Sequence, residues 1–148
     1  MIWRTFLALA VAIFFSACES PYKKSDEAEK QPLRHQAKDT SFLAFTGRLR
    51  IAVANRDMPM LTSMMTNDFG FRWDTVPPGE TPFGYWDQNN LWGELSSILK
   101  EQFGPKGQYM VAPAQAVDDP EYKGYRAGLR LVTGSWKFAY FVSGDGAE

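Results

Sequence analysis

The chain has 148 residues, 45% of them hydrophobic and 22% charged, with a formal net charge of −1. That is room for one domain and a short appendage, and with no Lys/Arg stripe it excludes the concentrated basic surface on which nucleic-acid binding depends. A single cysteine, Cys18, can close no internal disulfide and fits no zinc-ligand spacing, so the fold must stand on its core.

Residues 6–15, FLALAVAIFF, are uninterrupted apolar residues behind Arg4 and the initiator amine, and Ser16 and Ala17 follow. A charged start, a short apolar run and a small-residue processing site have the layout of a secretory signal, here 1–17. The run falls well short of the roughly 20 apolar residues that a membrane-crossing helix needs. The tetrapeptide Phe15-Ser16-Ala17-Cys18 resembles the lipobox of bacterial lipoproteins. The resemblance implies a diacylglyceryl group on the Cys18 thiol, cleavage before it, and fatty acylation (palmitate) of the new amine. Two or more acyl chains hold a protein stably at a bilayer where one does not. In such families Asp after the cysteine often retains the product at the inner membrane. Glu19 stands there instead, which favours the periplasmic face of the outer membrane.

Residues 19–39, ESPYKKSDEAEKQPLRHQAKD, are rich in Asp, Glu, Lys and Arg and poor in apolar residues. Such a segment buries too little to offset its ordering entropy, so 18–39 is expected to be the lipid-attachment cysteine and a disordered charged tether. The sole histidine, His35, lies in it.

The folded domain is placed at 40–148. Phe42, Phe45, Leu49, Ala52 and Val53 recur at three- and four-residue spacing and predict a helix from Thr40 to about Arg56. Asp57 is an N-cap for a second short helix with Pro59 in its first turn and a stripe of Met58, Leu61, Met64 and Met65. Phe69 to Asp74 alternates as a strand, and 76–84, VPPGETPFG, reads as loop. A third helix is predicted over 88–103, stopped by Gly104-Pro105. Strands follow at Tyr109–Val117, Tyr122–Thr133 and Ser135–Ser143, with a turn at 118–121 and a two-residue hairpin at Gly134-Ser135. The last strand is expected to set Trp136, Phe138, Tyr140 and Val142 on one face. Helices first and then an antiparallel meander give an α+β domain, helices packed on one face of an antiparallel sheet.

The run A-x-x-N-R-D…L…M from Ala52 to Met64, a strand after Asp68 and a closing hairpin ending in WKFAYFVSGD resemble the nuclear transport factor 2-like superfamily. The resemblance spans residues 40–146 and implies helices wrapped around a curved sheet to make a cone with an interior pocket. The 88–103 helix is long for the middle segment of that family.

With Cys18 lipidated and His35 in the tether, no His- or Cys-based catalytic pair remains for the domain. The chain carries no nucleophile elbow, zinc-protease, phosphate-loop, dinucleotide or calcium-loop motif, so no catalytic residue, metal site or cofactor is assigned. Carboxylates such as Asp74, Glu80, Asp87, Glu94, Asp118, Asp119 and Glu121 remain, and each has an ordinary reading as a cap, a turn or a solvated position.

The candidate ligand-binding residues are rings and guanidinium groups. Tyr85, Trp86 and Trp92 lie among amides in the stretch 83–92, and Trp73 sits in the strand before the loop. Such rings either wall a cleft for a flat polar ligand or pin the Pro-rich loop to the core. Arg126 and Arg130, read as side by side on one strand face, suit a carboxylate or phosphate, or else pair with acidic neighbours. The sequence thus describes a lipid-anchored cell-envelope protein that binds a small molecule, glycan or envelope protein without catalysis. A small carboxylate enzyme with a cone-shaped pocket and a structural accessory subunit of an envelope complex are the alternatives.

Overall fold

A computed structural model describes residues 39–144; the apolar run, Cys18 and residues 19–38 lie outside these, as do 145–148. The first helix, α1 (Thr40–Ala54), starts where Asp39 accepts the Ser41 N–H at 2.9 Å. Its inward stripe is the expected one, with Phe42, Phe45, Leu49, Ala52 and Val53 buried. Thr46 is buried with them because its hydroxyl donates to the Phe42 carbonyl one turn back. The chain reverses at Arg56, whose φ is +50°, and Asp57 caps α2 (Met58–Met64) by accepting the Met60 N–H at 3.0 Å. Leu61 and Met64 face inward, whereas Met58 and Met60 are exposed.

Strand β1 (Met65–Gly70) follows α2 directly, so it begins and ends four residues earlier than the alternation predicts. Phe71 is still buried, but beyond the strand. The predicted loop ends early too. Thr81 accepts the Gly84 N–H at 3.1 Å and Pro82 opens α3 (Pro82–Gln88), a start signal of hydroxyl cap and first-turn proline. Of the predicted 88–103 helix only Gln88, the last residue of α3, and 92–98 are helical. Asn90 has φ +56°, a left-handed conformation that asparagine tolerates, and the chain turns there before α4 (Trp92–Ile98). Leu91, Leu95, Ile98, Leu99 and Phe103 are nevertheless all buried.

The helix stops at Ile98 and not at Gly104-Pro105; Gly104 to Lys106 forms β2, paired antiparallel with β3 (Tyr109–Ala112). Pro113 cuts β3 short of Val117, and a single turn, α5 (Gln115–Asp118), follows. Strands β4 (Arg126–Val132) and β5 (Ser135–Val142) form the long closing hairpin. Its two-residue turn is Thr133-Gly134, both at positive φ (+48° and +77°), one residue earlier than the sequence suggests.

The five strands run in the order β1-β5-β4-β3-β2. The architecture is α+β, but the sheet is mixed, because β1 pairs parallel with β5. Leu129 stands opposite Phe138 and Gly128 opposite Tyr140, so Ala139 is an extra residue in β5, a bulge. Beyond the bulge the alternation changes phase. Trp136, Phe138 and Phe141 join the core, while Tyr140 and Val142 turn to the other face, which corrects the expectation that all of 136, 138, 140 and 142 share one side.

The core fills the space between the helices and one sheet face. Trp86 is wholly buried at its centre, in edge contact with Trp92 at 5.1 Å, Phe83 at 5.6 Å, Phe69 at 5.9 Å and Phe141 at 5.9 Å between centroids. Phe42 meets Trp136 at 4.9 Å and Phe103 at 5.4 Å, which ties α1 to the sheet. Such edge-to-face pairs add about 0.5–1.5 kcal/mol each beyond the area they bury. Among the described residues no helix is long and apolar enough to cross a membrane. Trp86→Ala is expected to lose about 3–5 kcal/mol in urea unfolding, a Trp-to-Ala cavity at the heart of the core. Arg48→Ala, on the exposed side of α1, should stay within about 0.5 kcal/mol of the parent.

Candidate functional site: a pocket on the open face of the sheet

The sheet face away from α1–α4 carries a pocket of about 460 Å³. Its origin lies in cross-strand rows. One row runs Gly104, Val111, Gly128, Tyr140 and Gly70 across β2, β3, β4, β5 and β1. Three of those positions have no side chain, and glycine inside a strand marks close approach. At Gly128 the Tyr140 ring lies against the backbone, so that a Cβ there would stand 2.1 Å from a ring carbon. Tyr140 therefore lies down along β4 and makes a floor. Its ring meets Tyr109 edge-on at 5.3 Å, and Ala139 and Val142 extend the apolar surface.

Charged groups flank the glycine row. Lys106, Tyr109 and Arg130 are successive partners in the row on one side, and Arg126, opposite Val142, stands on the other. Arg126 and Arg130 are thus four residues apart, roughly 13 Å along the strand at about 3.3 Å per residue. This corrects the reading that they lie side by side: Gly128 and the ring of Tyr140 separate them.

The cations differ in their partners. Arg130 donates from Nη2 to both Asp68 oxygens, at 2.7 and 2.9 Å, and from Nη1 weakly to the Tyr109 hydroxyl. The Thr66 side chain and then Arg130 hold the Asp68 carboxyl below its usual range. Arg72, at the β1 edge of the pocket, is gripped by Asp74 and Glu80 and lies over the Tyr85 ring at 5.4 Å. Lys106 donates to the Ala116 carbonyl at 3.2 Å. Arg126 donates from Nη2 to the Tyr122 carbonyl at 2.9 Å and lies 5.7 Å from the Tyr122 ring centroid. Among the described residues neither Lys106 nor Arg126 has a carboxylate in ion-pair range.

Of the six sequence candidates, three line this pocket: Arg126, Arg130 and Trp73, the last a residue 56% exposed whose Nε1 donates to the Ser143 carbonyl at 2.6 Å. The other three do not. Trp86 and Trp92 lie in the core across the sheet, and Tyr85 packs against that core and reaches the pocket only through Arg72. The rings of 83–92 are therefore an anchor for α3 and α4 and not a ligand groove. Trp92 fixes it further, since its Nε1 donates to Asp87 at 2.7 Å while Arg56 lies over its ring at 5.3 Å.

The sequence candidates omit Tyr140, Tyr109, Lys106 and Asp68, although Gly70 and Gly128, both against Tyr140, were a signal of close approach. Asp68 is the one carboxylate among the lining residues. Asp74 and Glu80 serve Arg72, Asp87 serves Trp92, and Asp119 accepts the Glu121 N–H. Among the described residues no group of three or more His, Cys, Asp or Glu side chains is placed to hold a metal ion. No family model matches the chain, and neither the curated proteins nor the solved structures include a significant match.

Burial pushes the Tyr140 hydroxyl up to about 12, partly offset by the nearby Arg126 charge. The phenol is neutral in the folded chain at pH values where an unfolded tyrosine ionises. This contribution to stability is thus complete below pH 10 and is lost as pH rises from there towards 12. The difference in unfolding free energy between Tyr140→Phe and the parent should therefore shift in the variant's favour by roughly 2 kcal/mol across that interval, measured by urea titration at successive pH values.

Proposed function

We propose that this chain is a lipid-anchored cell-envelope protein whose α+β domain holds a small molecule in the sheet-face pocket without transforming it. The pocket carries the binding half of this reading. Its volume of about 460 Å³ falls within the usual range of small-molecule sites. An apolar ring floor with a few polar groups converging on it is the usual composition of such sites. Asp68, paired with Arg130 and held ionised, is suited to orienting that guanidinium and poorly suited to taking a proton from a substrate.

The anchoring half rests on the lipobox-like Phe15-Ser16-Ala17-Cys18 and the apolar run before it, with Glu19 favouring the outer membrane, periplasmic side. The charged segment after Cys18 then links the acyl chains to the domain, which begins at its Asp39 cap. A nuclear transport factor 2-like affiliation is supported by leading helices laid on one sheet face and by a long closing hairpin. The space under those helices, where the resemblance implies a pocket, is filled by Trp86 and its neighbours, so the binding site of this chain is assigned to the opposite face.

Two experiments test the halves separately. Cys18→Ser should abolish incorporation of labelled fatty acid and leave the precursor uncleaved; normal labelling of the variant would remove the anchor. Gly128→Ala forces the Tyr140 ring off β4 and into the pocket. In a ligand-observed NMR screen of fragments, those that bind the parent chain should lose binding to this variant by about tenfold or more. A set of binders indifferent to Gly128→Ala would show that the pocket is not where they bind.

A further inference from the structure

The pocket does not treat its cations alike, and the difference selects a ligand. Arg130 is paired with Asp68 and Arg72 with two carboxylates, so both are structural supports of the pocket wall, while Lys106, on the Arg130 side, has no described carboxylate but turns its ammonium to the Ala116 carbonyl. Arg126 is not neutralised by any described residue, yet it is held in place: one Nη2 hydrogen bond goes to the Tyr122 carbonyl, and the Tyr122 ring backs the guanidinium. Its Nε, like that of Arg130, is buried without an acceptor among the described residues. An arginine fixed by a neutral carbonyl and a ring keeps its charge available to an incoming anion and has already given up much of its rotamer freedom.

Tyr140 supplies the second element. Its hydroxyl donates to no described residue, its ring lies over Gly128, two residues from Arg126 on the same strand, and the phenol is protonated at neutral pH, so it is a donor. Beside this pair lies apolar surface from the Tyr140 ring, Tyr109, Ala139 and Val142, with Trp73 over the rim. A free cation and a neutral hydroxyl at one end of a ring-floored slot match a molecule with an anionic head and a flat apolar body.

We propose that Arg126 and the Tyr140 hydroxyl together bind the carboxylate, or an equivalent oxyanion, of an organic acid whose flat apolar body lies on the Tyr140 ring. This rests on the pocket being a binding site, as inferred above, and adds the class of ligand. Recognition is by charge-assisted hydrogen bonds, with Arg130 and Asp68 as the fixed far wall.

The test uses the full acylated chain in detergent and two matched probes, 2-naphthoate and the neutral 2-naphthamide, titrated by calorimetry against a detergent blank. The parent chain should bind naphthoate at least about tenfold more tightly than naphthamide. Arg126→Gln should remove that preference and leave naphthamide binding unchanged, while Arg48→Gln, away from the pocket, should alter neither. Equal binding of the two probes by the parent, unaffected by Arg126→Gln, would overturn the anionic class and leave the pocket itself standing. Absence of binding of either probe at millimolar concentration would overturn both. Because the comparison of two probes on the unaltered chain needs no variant, the outcome does not depend on how Arg126→Gln folds.

Discussion

One inserted residue in the central region of the sheet, Ala139, governs how the two faces of this domain divide their work. Without it, β5 would alternate uniformly, and Tyr140 would be driven into a core already occupied by Trp86, Phe138 and Phe141. The bulge lets the strand spend Trp136, Phe138 and Phe141 on the helix side and still deliver Ala139, Tyr140 and Val142 to the other. Both layers follow from that phase change. On one side, rings interlock around Trp86; on the other, a single ring lies flat over a glycine, which only the absence of a Cβ at Gly128 permits.

The electrostatic pattern of the open face is laid over this geometry. Arginines beside acids contribute little to stability when solvent reaches them, but they fix the direction of side chains. The Asp68–Arg130 pair and the Asp74–Arg72–Glu80 group therefore act as a frame, the first balanced in charge and the second with one carboxylate in excess. Arg126 is framed differently, by backbone and ring, with no carboxylate among the described residues in ion-pair range. A ligand entering this site meets Arg126 at one end and, at the other, Lys106 turned to the Ala116 carbonyl beside the Asp68–Arg130 pair.

Much of this domain was legible in the sequence where a periodic signal and a cap agreed. The 3.6-residue stripe of α1 and the Asp57 cap of α2 are both found where periodicity puts them. The helix read over 88–103 failed because its apolar stripe is real while its backbone is not continuous: Asn90 takes a left-handed conformation that leaves Leu91, Leu95 and Ile98 in the core. The start of α3 carried a readable Thr-Pro signal inside a stretch dominated by its prolines and glycines. The site was harder. A bulge without glycine leaves no local mark, though the spacing of Phe138 and Phe141, three apart in a strand, is its trace. The rings of 83–92 misdirected attention because a dense aromatic run serves a core as well as it serves a cleft, and sequence alone does not say which side of a sheet it faces.

The indole at the pocket rim has a practical corollary. Trp86, Trp92 and Trp136 are enclosed, while Trp73 stands half in water, tethered through its nitrogen to the Ser143 carbonyl. Of the described tryptophans it alone is open to a collisional quencher such as iodide, and its emission will lie to the red of the rest. The protein thus carries an intrinsic fluorophore at the entrance to its own cavity, able to register the arrival of an occupant without any attached dye.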